Sequence, residues 1–255
     1  MNFIISASTD IGIKKETNQD SYNVRVLNTP QGKMAFAVLC DGMGGLAKGE
    51  VASASLVRAF TRWTTERLPM LCHAPIQDED IRNDWTDITR DFNVKIKNYS
   101  KRNGVRMGTT VTAILITQEK YYVINVGDTR AYEIASTIRQ MTEDQTVVAR
   151  EVAMGNLTVE QARVDRRRNV LLQCVGASDE VYPDLFFGSV NANAVYMLCS
   201  DGFRHEISEG EIFSYLNPNV MHDADEMKRN MDALIEINKM RRESDNITVL
   251  TIRTF

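Results

Sequence analysis

The chain has 255 residues, of which 43 % are hydrophobic and 25 % are charged, and its formal net charge is −4. These values are ordinary for a globular protein and exclude a disordered or fibrous chain. Because the net charge is negative, the protein as a whole does not attract nucleic acid electrostatically. No apolar run reaches the ~18 residues that a membrane-spanning helix needs. Because there is no signal-peptide pattern and the cysteines lack paired spacing, we expect a reducing, cytoplasmic location with neither nucleic acid nor membrane as a partner.

Short runs rich in Val, Ile, Tyr and Phe predict strands along the chain. They cover residues 3–8, 22–27, 34–40, 110–117, 121–126, 131–135, 195–200 and 247–252. The runs 110–117 and 121–126 are separated by Gln118, Glu119 and Lys120, which is the spacing of an antiparallel hairpin.

Apolar residues at steps of three and four predict helices between the strands. Two such stripes lie within residues 52–63 and 81–99. Ser208 and Glu211 have capping-box spacing and predict the start of a third helix, and a fourth is predicted over about 222–241. Strands, then helices, then strands predict one α+β domain over residues 1–255, a sandwich of antiparallel sheets covered by helices. The irregular, polar segment 143–190 is predicted to be an insertion in that domain.

Several aspartates stand at the ends of predicted strands. Asp41 and Asp201 each follow a fully apolar run and each precede a glycine, while Asp20, Asp128 and Asp245 flank other strands. Any one of them reads most simply as a turn residue. Carboxylates gathered at one end of a sheet would repel each other unless a cation neutralised them, and Mg²⁺ and Mn²⁺ prefer such oxygen ligands. The set therefore predicts a magnesium or manganese site.

The ordered motifs along the chain resemble those of the metal-dependent serine/threonine protein phosphatases (type 2C, or PPM) in their compact bacterial form. These motifs are Gly12, Asn18-Gln19-Asp20, Asp41-Gly42-Met43-Gly44-Gly45, Gly108-Thr109-Thr110, Gly127-Asp128-Thr129-Arg130-Ala131-Tyr132, Met141-Thr142-Glu143-Asp144, Ser200-Asp201-Gly202 and Asp245-Asn246-Ile247-Thr248. The resemblance covers nearly the whole chain. It implies a four-layer α-β-β-α sandwich of two antiparallel sheets with two metal ions, Mn²⁺ or Mg²⁺, at one end.

The resemblance also implies roles for individual residues. Asp41 would bridge the two ions, and the Gly42 carbonyl would bind the second. Asp201 and Asp245 would complete the shell of the first, and Asp20 would orient metal-bound water. Asp128, with Asp201, matches the place of a weaker third ion. The reaction implied is hydrolysis of phosphoserine and phosphothreonine in proteins by a metal-bridged water, opposing a cognate serine/threonine kinase.

This chain departs from the family pattern at several positions. Lys15 stands where an Arg usually binds the substrate phosphate, so it is either a catalytic and substrate-binding residue or a surface lysine. Met43 replaces the His that animal members carry as the proposed general acid. His205 and a water are the remaining proton donors, and a surface position is the simpler reading of His205. The insertion 143–190 matches the family's flap, which borders the site. Its Arg166-Arg167-Arg168 run reads by default as a solvated face.

Two alternatives to a general protein phosphatase remain open. One is a phosphatase dedicated to a single small regulatory phosphoprotein. The other, from a different functional class, is a catalytically silent module that binds phosphoproteins. The five aspartates favour an enzyme because a silent module need not retain metal ligands.

Overall fold

A computed structural model of the chain describes residues 1–43 and 48–255. The strands are β1 (Phe3–Asp10), β2 (Asp20–Thr29), β3 (Gly32–Asp41), β4 (Val111–Ile116), β5 (Lys120–Val126), β6 (Arg130–Ile134), β7 (Ile138–Gln140), β8 (Asp184–Ser189), β9 (Ala194–Cys199) and β10 (Ile247–Thr254). The α-helices are α1 (Gly49–Glu66), α2 (Leu68–Leu71), α3 (Asp78–Asn103), α4 (Val147–Ala153), α5 (Val159–Val164), α6 (Asp201–Arg204), α7 (Glu209–Leu216) and α8 (Ala224–Met240). A short 3₁₀ helix covers Pro218–Val220.

The strands form two antiparallel sheets of five strands each. Sheet I has the order β1-β10-β9-β6-β7, and sheet II has the order β2-β3-β4-β5-β8. A buried cluster that includes Leu39, Ile114, Tyr196 and Leu250 fills the space between the two sheets. The outer face of sheet II packs on α1 and α3, and the outer face of sheet I packs on α7 and α8. The predicted four-layer α-β-β-α sandwich is therefore confirmed.

The central strands are buried on both faces because each sheet is covered on both sides. Every residue of β4 and β9 is buried. Outside sheet II, the fully buried Trp85 of α3 makes edge-to-face contacts with Trp63 and Phe60 of α1, with ring centroids 5.5 and 5.9 Å apart. Such aromatic pairs add to the free energy gained from burying their area.

The predicted elements are all present, with small changes of boundary. The fourth predicted helix is α8, and Ser208 and Glu211 form the predicted capping box at the start of α7. The prediction for segment 143–190 was wrong in one respect, because this segment is partly regular. It contains α4, α5, with its own capping box at Thr158 and Gln161, and β8, which pairs with β5 at the edge of sheet II. Residues 184–189 thus belong to the sandwich rather than to the insertion.

The Gly44-Gly45 part of the predicted site motif lies outside the described residues. Among the helices that are described, none is both long enough and apolar enough to cross a membrane.

Candidate metal centre

The two sheets bring the predicted aspartates to one end of the sandwich. In sheet II, Asp20 opens β2 directly opposite Asp41, the last residue of β3. In sheet I, β9 lies between β6 and β10, so the chain segments that carry Asp128, Asp201 and Asp245 are neighbours at the end of that sheet. Sequence-distant residues are joined here because antiparallel pairing aligns these strand ends.

The charges of these aspartates act on one another. Burial raises the pKa of Asp41 well above its usual range, and the charges of Asp20, Asp201, Asp128 and Asp245 add to the rise. Burial, reinforced by the charges of Asp201 and Asp245, raises the pKa of Asp20 to about 7. Burial and the charge of Asp201 likewise raise the pKa of Asp128 to about 7, although the charges of Arg204 and His205 oppose the rise. The cluster thus carries more negative charge than its surroundings neutralise, and a cation would relieve it.

Unpaired buried oxygens give a direct test of whether these residues suit a metal ion. Both carboxylate oxygens of Asp20 and Oδ1 of Asp201 are buried without a hydrogen-bond donor in the described part of the chain. The hydroxyls of Thr248 and Ser200 oppose the rise in the pKa of Asp20, but neither donates to it with ordinary hydrogen-bond geometry. Buried acceptors without partners are costly, and a hard divalent cation or its bound water would satisfy them. The donor set therefore fits Mg²⁺ or Mn²⁺.

The ligands are nevertheless not yet grouped around one point. Within residues 1–43 and 48–255, no three His, Cys, Asp or Glu side chains are already arranged to hold an ion.

Lys15 interacts with the aspartate cluster. Its Nζ lies 2.7 Å from Asp245 Oδ1, and both side chains are about two-thirds buried, at 29 % and 32 % exposure. Burial lowers the pKa of Lys15, but the hydrogen bond to Asp245 and the charges of Asp245, Asp41 and Asp201 outweigh it, and the net pKa is raised. Lys15 therefore lies at the aspartate cluster and supplies positive charge to it.

Close packing explains why a glycine follows both Asp41 and Asp201. A Cβ on Gly42 would lie 2.5 Å from the backbone of Gly49 and 2.7 Å from the Gln19 carbonyl oxygen. A Cβ on Gly202 would lie 2.3 Å from the Asn246 carbonyl oxygen. In both places the absent side chain lets another backbone segment of the site pack directly against the turn that follows an aspartate.

Polar side chains hold the loops of the site together. The Asn246 side chain accepts from the Gln19 amide at 2.9 Å and donates to the carbonyls of Ile11 and Thr17, so it joins the Asp245 loop to the loop before β2. Thr110 binds both backbone groups of Asp41, donating its amide to the carbonyl and accepting the Asp41 amide at its hydroxyl, each at 2.9 Å. These bonds fix the positions of three of the aspartate-bearing segments.

Asp128 has a basic neighbour that sequence reasoning missed. Arg204, at the end of α6, donates from Nη2 to the Asp128 carbonyl at 3.0 Å and lies 3.9 Å from Asp128 Oδ2. Arg204 also contacts Asp144, which already receives two bonds of 2.7 Å from Arg130. In the sequence, Arg204 reads as an ordinary polar residue of a short helix, and only its burial in the folded chain reveals the contact.

His205 faces two carboxylates rather than open solvent. Its Nε2 lies 3.6 Å from Asp201 Oδ2, and its Nδ1 lies 3.3 Å from Glu243 Oε2. Burial lowers the pKa of His205, whereas Glu243 and Asp201 raise it and determine the net direction. Glu243 in turn accepts the amides of Ser244 and Asp245. The simpler reading of His205 as a surface residue was wrong, since its side chain is only 13 % exposed.

The segment that the resemblance predicts to be the flap has both charged and apolar side chains on its surface. Arg167 pairs with Asp165, and Val164 is 81 % exposed. Gly42 and Met43 are linked to this segment through residues 108 and 109, because the Met43 amide donates to the Gly108 carbonyl and Thr109 bridges to both Gly42 and Val175.

Comparison with known proteins agrees with this architecture. The family model described as protein phosphatase 2C matches residues 13–239. The chain is 28 % identical over 245 residues to the serine/threonine phosphatase stp of Listeria welshimeri, covering 96 % of this chain and 93 % of that one. It superposes on the serine/threonine phosphatase Stp1 of Staphylococcus aureus with a TM-score of 0.85 and 28 % identity, over 100 % of this chain and 96 % of the other.

A further solved structure, the catalytic domain of the serine/threonine protein phosphatase PstP in complex with two manganese ions, has a TM-score of 0.79 and 26 % identity, over 99 % of each chain. Because the family model covers most of the chain and the sandwich agrees over its full length, the chain belongs to the protein phosphatase 2C family.

Proposed function

We propose that the chain hydrolyses phosphoserine and phosphothreonine in proteins with two Mn²⁺ or Mg²⁺ ions and an activated water, and that it opposes a serine/threonine kinase. As a member of its family it is a metal-dependent protein serine/threonine phosphatase. The observation that best supports the proposal is the convergence of buried carboxylates from both sheets on one end of the sandwich, with three of their oxygens unpaired among the described residues.

The proposed ligands follow from this convergence. Asp41 would bridge the two ions, the Gly42 carbonyl would bind the second, and Asp201 with Asp245 would complete the shell of the first. When bound, such ions supply an acidified water and positive charge for the phosphate oxygens. Asp20 lies opposite Asp41 and has two free acceptor oxygens, so it would orient a water in the site.

Lys15 would bind the substrate phosphate. Its ammonium now pairs with Asp245, and a divalent ion on that carboxylate would compete with this pairing and release the ammonium for another anion. A lysine is a point charge without the planar fork of an arginine, so it would hold the phosphate by charge rather than by two parallel hydrogen bonds.

The proton for the leaving serine or threonine would come from water. Met43 has no proton to donate. Both ring nitrogens of His205 face carboxylates inside the protein, those of Asp201 and Glu243. We expect His205 to affect the position of Asp201 rather than to act as the general acid.

The substrates would be phosphoproteins made by a cognate kinase, and the enzyme would act in the cytoplasm. The insertion that begins near residue 143 would border the site and contribute to the choice among these phosphoproteins. No contact with nucleic acid or membrane is part of this proposal, in keeping with the net charge of −4.

Phosphate release from a phosphothreonine peptide tests the proposal. We expect none from metal-stripped enzyme, recovery on addition of Mn²⁺, and none from Asp41→Asn. Asp91→Asn is a matched control, because Asp91 lies on α3 and its side chain is 72 % exposed. The rival reading, a silent binding module, predicts that the wild type binds the peptide with Mn²⁺ present but releases no phosphate.

A further inference from the structure

The place where the family resemblance implies a third metal ion, beside Asp128 and Asp201, already has basic neighbours in this chain. Both come from the end of α6. Arg204 Nη2 lies 3.9 Å from Asp128 Oδ2 and donates to the Asp128 carbonyl at 3.0 Å. His205 Nε2 lies 3.6 Å from Asp201 Oδ2. The two carboxylates that would hold a third ion thus each face a side-chain nitrogen.

Arg204 is shared between Asp144 and Asp128, and its charge is not used up by Asp144 because a second arginine, Arg130, also pairs with Asp144. Arg130 gives Asp144 two hydrogen bonds of 2.7 Å in the planar, bidentate arrangement. Arg204 Nη2 adds one longer contact of 3.4 Å to Asp144, so two arginines face the two carboxylates of Asp144 and Asp128. A guanidinium stays charged at all ordinary pH values, and this one is only 13 % exposed, so solvent screens it little.

A divalent ion on Asp128 would be repelled by this fixed charge. An ion bonded to Oδ2 at ~2.1 Å would lie within about 6 Å of Arg204 Nη2. At that distance the repulsion is ~1.4 kcal/mol even with the dielectric constant of water, which weakens binding about tenfold, and it is larger inside the protein. The fixed charge of Arg204 therefore acts against a third metal ion at Asp128.

We propose that in this chain Arg204 takes the place of a third cation at Asp128, so that the site binds two divalent ions and no third. The inference rests on the two-ion site of the proposed function. It differs from what the family resemblance implies for Asp128, and the difference arises from one buried arginine.

A count of bound Mn²⁺ tests the inference. Metal-stripped protein is titrated with Mn²⁺, and free ions are measured by their EPR signal, with calorimetry on the same samples. We expect two bound ions in the wild type and the same two in Asp128→Asn. A third ion in the wild type that is lost in Asp128→Asn would overturn the inference. Fewer than two ions in the wild type would instead overturn the two-ion site, and the inference with it.

A matched pair of variants isolates the charge of Arg204. Arg204→Met removes the charge and should gain a third, weaker Mn²⁺ that disappears again in Arg204→Met/Asp128→Asn. Arg204→Lys keeps the charge and should stay at two. A folded Arg204→Met variant that also stays at two would contradict the inference. Should that variant fail to fold, the counts for the wild type and Asp128→Asn decide.

Discussion

Lys15 is predicted to have two opposite effects, one on metal binding and one on substrate binding. Its ammonium is 2.7 Å from Asp245, a proposed ligand of the first ion, and the pair is about one-third exposed. A metal ion must displace or weaken this pair before it can use Asp245 fully. We therefore expect Lys15→Met to bind Mn²⁺ more tightly than the wild type and to bind phosphopeptide more weakly.

The structure sets the size of the two effects. At this separation the attraction is between about 1.5 kcal/mol in water and several kcal/mol inside the protein, and partial exposure together with the cost of ordering both side chains brings the net value towards ~1 kcal/mol. Loss of this competition should lower the Kd of the first Mn²⁺ about fivefold. Loss of a charged hydrogen bond to phosphate, ~1.5–3 kcal/mol, should raise KM at least tenfold with kcat little changed, because the bond helps the ground state and the transition state alike.

Calorimetry with Mn²⁺ and steady-state kinetics on a phosphothreonine peptide measure the two effects on the same protein samples. Lys14→Met is the matched control, since Lys14 is the exposed neighbour. An unchanged Kd for Mn²⁺ in Lys15→Met would refute the competition with the metal. An unchanged KM would show that Lys15 does not touch the phosphate and is a lysine that only pairs with Asp245.

Four further outcomes are expected. Asp41→Asn should lower kcat by at least ~10², as loss of a major electrostatic contribution does, and activity that survives exhaustive chelation in the wild type would contradict metal dependence. Across substituted aryl phosphates, log kcat should rise steeply as the leaving-group pKa falls, because Met43 cannot protonate the leaving oxygen; Met43→His should flatten that slope where chemistry limits the rate. In the metal-free protein, the pKa of Asp20 is about 7 in the folded state and ~3.9 in the unfolded state, so the folded state binds this proton more tightly. The stability that comes from the bound proton is lost as the pH rises from about 4 to about 7. The Tm should therefore fall over this range, and it should fall less in Asp20→Asn. Trp85→Ala should lower the free energy of unfolding measured with urea by ~3–5 kcal/mol, because Trp85 is fully buried where α3 packs on α1. A loss below ~1 kcal/mol would mean that the aromatic cluster around Trp85 is not the core of the helical layer on sheet II.

Local patterns predicted the framework of the fold well. Apolar runs marked the buried strands, and the spacing of Ser208 and Glu211 marked the start of α7, because both signals are contained in a few neighbouring residues. β8 was missed because it is a short strand at the edge of sheet II, only half-buried, inside a segment of mixed composition. Such an edge strand owes its conformation to pairing with β5, which no local pattern shows.

The site was predictable only in part, for the same reason. The apolar-run, Asp, Gly pattern pointed to Asp41 and Asp201, and the family resemblance supplied their proposed roles. The pairing of Lys15 with Asp245 joins residues from opposite ends of the chain, and the contact of Arg204 with Asp128 depends on the burial of α6. Those two contacts determine how charge is balanced in the site, and they exist only in the folded chain.

A manganese anomalous difference map from crystals grown with Mn²⁺ would test the proposed metal site most directly. We predict two peaks that share the carboxylate of Asp41, one of them also bound by Asp201 and Asp245, with the Lys15 ammonium moved away from Asp245. A single peak, or peaks away from these three aspartates, would contradict it.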